Sequence, residues 1–383
     1  MRFARYLTIA GLGLGGGAGV SAAQTAVSLT KPDAKYGEPM TRITGVRELP
    51  GNKVLVSDMM DKVVLLVDFG SGTATKVGRQ GQGPGEFGLP GALLGIPKDQ
   101  TLLLDIIGRR FLTIGADGKP GGIVNMPSGG GGGIGFMGPD TKSDNLGRIY
   151  FNAPAFNLSG GPPPDSVPIQ RWDRINPKLD TVAWVSVPRA DVTRDGSGGR
   201  VSVRIGGSKV FSAEEQWTVS GEGRVARVRP NPYQVIWYDG VNQSLSGQVV
   251  PYTAPKVTDA DKKAVIEQQK KQKPMVIAIG GPGGRAPPNV TPPPPEFADT
   301  KPPFIGGFGG GNVLATPDGE VWVARTRPAG DTTPTYDVFD RTGKLVRKVS
   351  LNPESRVVGF GTGTVYVVRT DEDDLQFLEK YRR

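Results

Sequence analysis

The chain of 383 residues contains no histidine and no cysteine. That excludes Ser-His-Asp and Cys-His catalysis, histidine metal sites and the general base that most often works near pH 7. Zinc on its usual ligands, haem attachment, iron–sulfur clusters and disulfides are excluded with them. Long apolar runs are scarce too: no segment beyond the amino end supplies the ~20 apolar residues of a membrane-spanning helix. What remains is carboxylate chemistry, or calcium held by oxygen atoms.

Charge, glycine and proline are abundant. The 46 Lys and Arg against 37 Asp and Glu leave a net charge of +9, which favours acidic partners or anionic surfaces. The 57 glycines and 34 prolines cluster in turns and three loop-like stretches, and the apolar runs between them stay intact. At the amino end, Arg2 and Arg5 precede an uncharged stretch from Tyr6 to Val20 and then Ser21-Ala22-Ala23. This is the pattern of an export signal cleaved after Ala23, with residues 1–23 removed and 24–383 mature. An uncleaved anchor is the alternative, weakened by the glycines between Gly11 and Gly19. The expected location is therefore the periplasm or the medium, with no transmembrane helix in the mature chain and no nucleic acid as partner.

A short apolar strand preceded by a turn recurs six times: Lys53-Val54-Leu55-Val56-Ser57-Asp58, Thr101-Leu102-Leu103-Leu104-Asp105-Ile106, Arg148-Ile149-Tyr150-Phe151-Asn152-Ala153, Arg224-Val225-Ala226-Arg227-Val228-Arg229, Glu320-Val321-Trp322-Val323-Ala324-Arg325 and Thr364-Val365-Tyr366-Val367-Val368-Arg369. The second position is always aliphatic, and most copies are apolar on both faces, as a strand sandwiched between sheets must be. A second apolar strand and usually another turn follow, as in Val235-Ile236-Trp237-Tyr238 before Asp239-Gly240. Repeats of about 45 residues holding four strands each predict an all-β, six-bladed β-propeller of four-stranded antiparallel blades.

The third positions are spaced 48, 47, 76, 96 and 44 residues apart. The longest gap holds an insertion over 254–308, where Thr258 can cap a helix spanning 259–273 ahead of a Pro/Gly-rich loop containing Pro292-Pro293-Pro294-Pro295. The last unit has room for three strands, so Thr25 to Lys31 is expected to close it, a disordered N-terminus being the alternative.

The run Gly78-Arg79-Gln80-Gly81-Gln82-Gly83-Pro84-Gly85-Glu86-Phe87 followed by Leu89-Pro90 resembles the turn between blades in NHL-type propellers. The stretch from Val338-Phe339-Asp340-Arg341-Thr342-Gly343 to Val365-Tyr366-Val367-Val368-Arg369 is similar to the closing blades of bacterial periplasmic NHL/TolB-like propellers. The resemblance implies fold, export and a binding role rather than a reaction. Histidine-zinc lyases among such relatives are excluded by ligand supply.

Two sets of site residues follow. The sixth repeat position reads Asp58, Ile106, Ala153, Arg229, Arg325 and Arg369. Three arginines in consecutive blades are a candidate site for a carboxylate, a phosphate or an acidic partner, unless each pairs with an acidic neighbour such as Asp331 or Asp371. Lys262, Lys263, Lys270, Lys271 and Lys273 make the inserted helix basic, either as a solvated decoration or as a dock for an acidic partner or anionic lipid. Asp58, Asp105 and Asn152 stand in neighbouring blades and are the ligands that a calcium-dependent, lactonase-like hydrolase of related form would ask for. Asp105 and Asn152 take the fifth repeat position and Asp58 the sixth, which counts against that set. The preferred expectation is a non-catalytic binding or scaffold propeller at the cell-envelope face without a cofactor, with a protein partner, as an accessory subunit of a larger complex; the alternative is the calcium hydrolase. The five tryptophans, Trp172, Trp184, Trp217, Trp237 and Trp322, are expected in the core.

Overall fold

The computed structural model of the protein describes residues 25–127, 140–152, 164–186, 191–194, 201–204, 209–240, 243–271, 294–306 and 311–383. The expected export signal, Ala153, Lys273 and the first two prolines of the four-proline run lie outside the described residues.

Six sheets stand side by side, and in each the chain runs from the inner strand outward. Blade 1 is Ile43–Leu49, Lys53–Asp58, Val63–Asp68 and Thr73–Lys76. Blade 2 is Pro90–Ile96, Gln100–Asp105, Arg110–Ile114 and Pro120–Asn125. Blade 3 is Lys142–Ser143, Ile149–Asn152, Ser166–Asp173 and Lys178–Ser186. Blade 4 is Gln216–Val219, Val225–Pro230, Tyr233–Tyr238 and Ser244–Ser246. Blade 5 is Val313–Ala315, Val321–Ala324, Thr335–Phe339 and Leu345–Leu351. Blade 6 contributes Ser355–Gly361, Thr364–Thr370 and Gln376–Arg382. All pairings within these blades are antiparallel, inner strands of neighbouring blades touch from blade 1 round to blade 5, and that of blade 6 touches blade 1. This is a six-bladed propeller.

The repeated apolar strand is the second strand of every blade, and its two-residue period explains the ring. Alternate side chains point to opposite faces. Leu55 therefore packs with Leu103 of blade 2, while Val54 and Val56 pack with Tyr366 and Val368 of blade 6. The described residues form one buried apolar cluster in each of the six gaps between blades. Each fully buried aliphatic or aromatic side chain stabilises the ring by roughly 1.5–3 kcal/mol. The turns ahead of the second strands need backbone that few residues adopt: Gly223 and Gly319 sit at φ of +84° and +92°. Four of the tryptophans are buried as expected, but Trp184 is exposed on the outer strand of blade 3.

Closure departs from the expected scheme. Thr25–Leu29 does not complete blade 6; it pairs in parallel with Leu345–Leu351, from Thr25 opposite Arg347 to Leu29 opposite Leu351, as a fifth strand on blade 5. Blade 6 takes its fourth strand from Ala34–Lys35, opposite Lys380 and Glu379. The amide of Tyr36 donates to Leu378 O, and Met40 and Gln376 exchange backbone bonds. One short N-terminal segment thus covers the open edges of two blades, as protection of exposed strand edges requires.

The insertion folds back onto the ring. Phe297 bridges to Val210 ahead of blade 4, and Phe304 is buried in the gap between blades 4 and 5. The helix runs Asp259–Lys271, in keeping with the expected start.

Candidate functional site

The second strands all end on the same rim of the ring, where the singled-out residues lie. Asp58 and Asp105 are structurally equivalent, correcting the one-residue offset read from the sequence: each closes a six-residue second strand, Lys53–Asp58 and Gln100–Asp105. Their carboxylates do the same job. Asp58 Oδ2 accepts the amides of Thr41 and Arg42 at 2.8 and 2.9 Å, and Oδ1 those of Met60 and Asp61 at 3.0 Å. Asp105 Oδ1 accepts the amides of Gly88, Leu89 and Gly108, and Oδ2 bonds the Arg110 guanidinium at 3.2 Å. Each aspartate ties the turn after its strand to the segment entering its own blade, which satisfies otherwise unpaired amides in a buried place.

Asn152 ends the second strand of blade 3 and is half-buried. A calcium ion would have to compete with these amides for carboxylate lone pairs. Among the described residues, no group of three or more carboxylates gathers around one point.

The three arginines of the repeat are all paired. Arg325 Nη1 bonds Asp337 Oδ2 at 2.9 Å, and the same oxygen accepts the Tyr233 hydroxyl from blade 4 at 2.9 Å. The Arg325 guanidinium also lies over the rings of Tyr252 and Tyr233, 5.0 and 5.5 Å from their centres. Arg369 Nε bonds Glu379 at 3.2 Å, and Arg229 Nε lies 3.5 Å from Glu215. Asp337 and Glu379 stand one strand away in the same sheet, and Glu215, shared with Arg227, just precedes the inner strand of blade 4; none is in the acidic loops expected. Asp337 sits in the apolar strand Thr335–Phe339 and is 1% exposed. A lone acid in such a strand signals a buried cation partner, and it was legible in the sequence.

The inserted helix is fastened by its first turn. Thr258 and Asp261 form a capping box: the Asp261 amide donates to Thr258 Oγ1 at 3.2 Å, and the Thr258 amide to Asp261 Oδ2 at 2.9 Å. Asp261 also holds the buried Lys301 ammonium at 2.9 and 3.0 Å and accepts the Ala329 amide of blade 5 at 3.0 Å. Burial alone would raise its pKa, but the bonds from Thr258, Lys301 and Ala329 outweigh that and hold it at about 2. Beyond this turn the helix is exposed. Lys262 pairs with Asp259 at 3.3 Å, and Lys263 and Lys270 face solvent. Lys271 ends the helix, its side chain outside the described residues.

Between the insertion and the rim of blade 4 lies a cavity of about 420 Å³, walled by Phe211, Pro230, Pro232, Tyr233, Tyr252 and Pro303. Lys256, Lys262 and Phe297 line a neighbouring one of about 520 Å³. Tyr252 donates its hydroxyl to Lys301 O at 2.9 Å, so this wall is fixed by the same contacts that hold the helix.

No family model matches the sequence, and no curated protein matches it. Solved structures of similar course include a Bacteroides fragilis protein described as exported, at 12% identity and a TM-score of 0.46, covering 94% of this chain and 100% of that one. Others are the PQQ-bound aldose sugar dehydrogenase of Streptomyces coelicolor, 12% identical with a TM-score of 0.42 over 92% and 98%, and the calcium-binding regucalcin of Agrobacterium tumefaciens, 11% identical with a TM-score of 0.36 over 94% and 98%. At such distances their ligands and reactions say nothing of this chain. The propeller rests on its own sheets. No helix among the described residues is long and apolar enough to cross a membrane.

Proposed function

We propose that this protein is an exported, non-catalytic binding propeller that contacts a protein partner at the cell envelope through its insertion and the adjoining rim of blades 4 and 5. The supporting observation is the buried Asp261–Lys301 pair with its bond to Ala329, which fixes the insertion on the rim. A preset surface binds without the cost of ordering it on association. Lysines 263 and 270 then offer positive charge to an acidic partner surface. The aspartates named for calcium chemistry are engaged in holding turns, which favours binding over hydrolysis.

The test is cross-linking of the full-length protein in its native envelope, followed by mass spectrometry, beside a variant whose residues 257–299, between the bridged Lys256 and Thr300, are replaced by a short linker that keeps Phe304 in the ring. The expected result is a stoichiometric partner captured by the intact protein and lost with the insertion. Absence of any stoichiometric partner, together with calcium-dependent turnover of lactones or esters, would overturn the proposal.

A further inference from the structure

Each arginine of the repeated strand has a carboxylate within 3.5 Å, Arg229 sharing Glu215 with Arg227, but a different set on the same rim has none among the described residues. Arg356 lies on the inner strand of blade 6 and is half-buried. Its Nη2 donates to Ile43 O at 2.6 Å and Gln376 Oε1 at 3.2 Å, both neutral acceptors. Those bonds occupy two of the five N–H groups of a guanidinium and leave Nε and Nη1 without a protein acceptor among the described residues.

Arg42 immediately precedes Ile43 at the entrance to blade 1, is exposed, and has its backbone fixed by the bond from its amide to Asp58 and by the Met59 amide. On the other side, the Tyr336 hydroxyl accepts the Val357 amide at 2.9 Å, and Tyr336 feels the charges of both Arg356 and the exposed Arg327. Among the described residues, none of the three arginines forms an ion pair, unlike Arg325 and Arg369 beside them.

Among the described residues, Glu354, two positions before Arg356, forms no ion pair with it, and three other acidic residues close in sequence are engaged elsewhere. Asp58 is taken up by amides, Asp61 accepts the Thr41 hydroxyl, and Asp371 Oδ1 accepts the amides of Asp373 and Leu375. Burial lowers the Arg356 pKa to about 10; Tyr336 opposes the shift and Arg42 adds to it. The guanidinium stays charged at neutral pH; the charged groups that act on it are Tyr336 and a second cation, Arg42, so a bound anion would relieve the repulsion between the two arginines.

We propose that Arg356, flanked by Arg42 and Arg327, is the anchor of a carboxylate-binding site on the rim, where the inner strand of blade 6, the entrance to blade 1 and the loop after the second strand of blade 5 meet. The ligand class is a small organic acid or the terminal carboxylate of a peptide. The site goes beyond the partner surface of the insertion, which lies over blades 4 and 5. Fixed guanidinium donors on a rigid sheet suit a carboxylate, because charge-assisted bonds form without reordering the protein.

The experiment is calorimetric titration of the full-length protein with succinate, with a peptide bearing a free C-terminus and with its amidated form, at constant ionic strength. Saturable binding of succinate or of the free-carboxylate peptide, but not of the amidated one, is the expected result. The Arg42→Gln and Arg327→Gln variants, both at exposed positions, should each weaken binding about tenfold, one charge-assisted bond being the difference. Arg356→Lys should weaken it by at least as much, and Lys119→Gln, the same charge change in an exposed turn of blade 2 on the opposite rim, should leave it unchanged. No saturable binding, or equal loss in Lys119→Gln, would overturn the proposal. So would a response to sulfate and chloride equal to that of succinate. Because the cross-linking test depends on the insertion, either proposal can fail while the other stands.

Discussion

The ring and the insertion are built on the same chain by opposite means. Each gap between blades is closed by many apolar side chains, so losing one contact leaves the others in place. The insertion is attached at few points, and a single carboxylate, Asp261, collects bonds from Thr258, Lys301 and Ala329. Distributed apolar burial makes a cooperative body; one charged staple makes an appendage that can be released separately. The ring should therefore answer to volume and the insertion to charge.

The largest effect should come from the ring. Leu103 is fully buried between blades 1 and 2. Leu103→Ala should lower global stability by about 3–4 kcal/mol in urea unfolding, with the insertion released only when the ring melts. Asp261→Ala should leave the buried Lys301 ammonium unpaired and cost about 3 kcal/mol of local docking. Hydrogen exchange would show residues 255–271 and 294–301 losing protection while the blades keep theirs; a matching drop in global unfolding would erase the distinction between the two regions.

Acid should separate the regions further. The Asp261 pKa falls from 3.8 in the free chain to about 2 when docked. A depressed pKa adds stability that is present above the unfolded value and disappears as pH falls through the folded one. Docking should weaken between pH 4 and pH 2 by roughly 2 kcal/mol, read as growing exchange in the insertion. Removing residues 25–29, which form an outer strand on blade 5 and are partly exposed, should cost only ~1 kcal/mol and raise the tendency to associate through the bared edge, measurable by light scattering. Lys263→Ala and Lys270→Ala should change stability by less than about 0.5 kcal/mol; a larger loss by thermal unfolding would mean that the helix packs where it is exposed here.

Much of the fold was legible because its cause is local. Six second strands announce themselves by apolar side chains on both faces, and the turns before them by glycine. The site was legible only in part. Arginine was rightly placed on the rim, but Arg229, Arg325 and Arg369 have carboxylates close by in their own blades, whereas Arg356 lies on an inner strand outside the repeat and left no periodic signal. Asp58 and Asp105 looked offset because the strand containing Asp105 begins one residue earlier, at Gln100, than the aligned pattern had it.

By itself the sequence determined that there would be six sheets with apolar faces, an inserted helix beginning after Thr258 and no histidine or cysteine chemistry, since composition and period two or 3.6 are properties of neighbouring residues. Tertiary structure alone decided that Thr25–Leu29 joins blade 5 and Ala34–Lys35 blade 6, that Lys301 meets Asp261 across 40 positions, and which arginines keep an unbalanced charge. Those outcomes depend on distances between parts of the chain far apart in order, and charge is neutralised by whatever lies near in space.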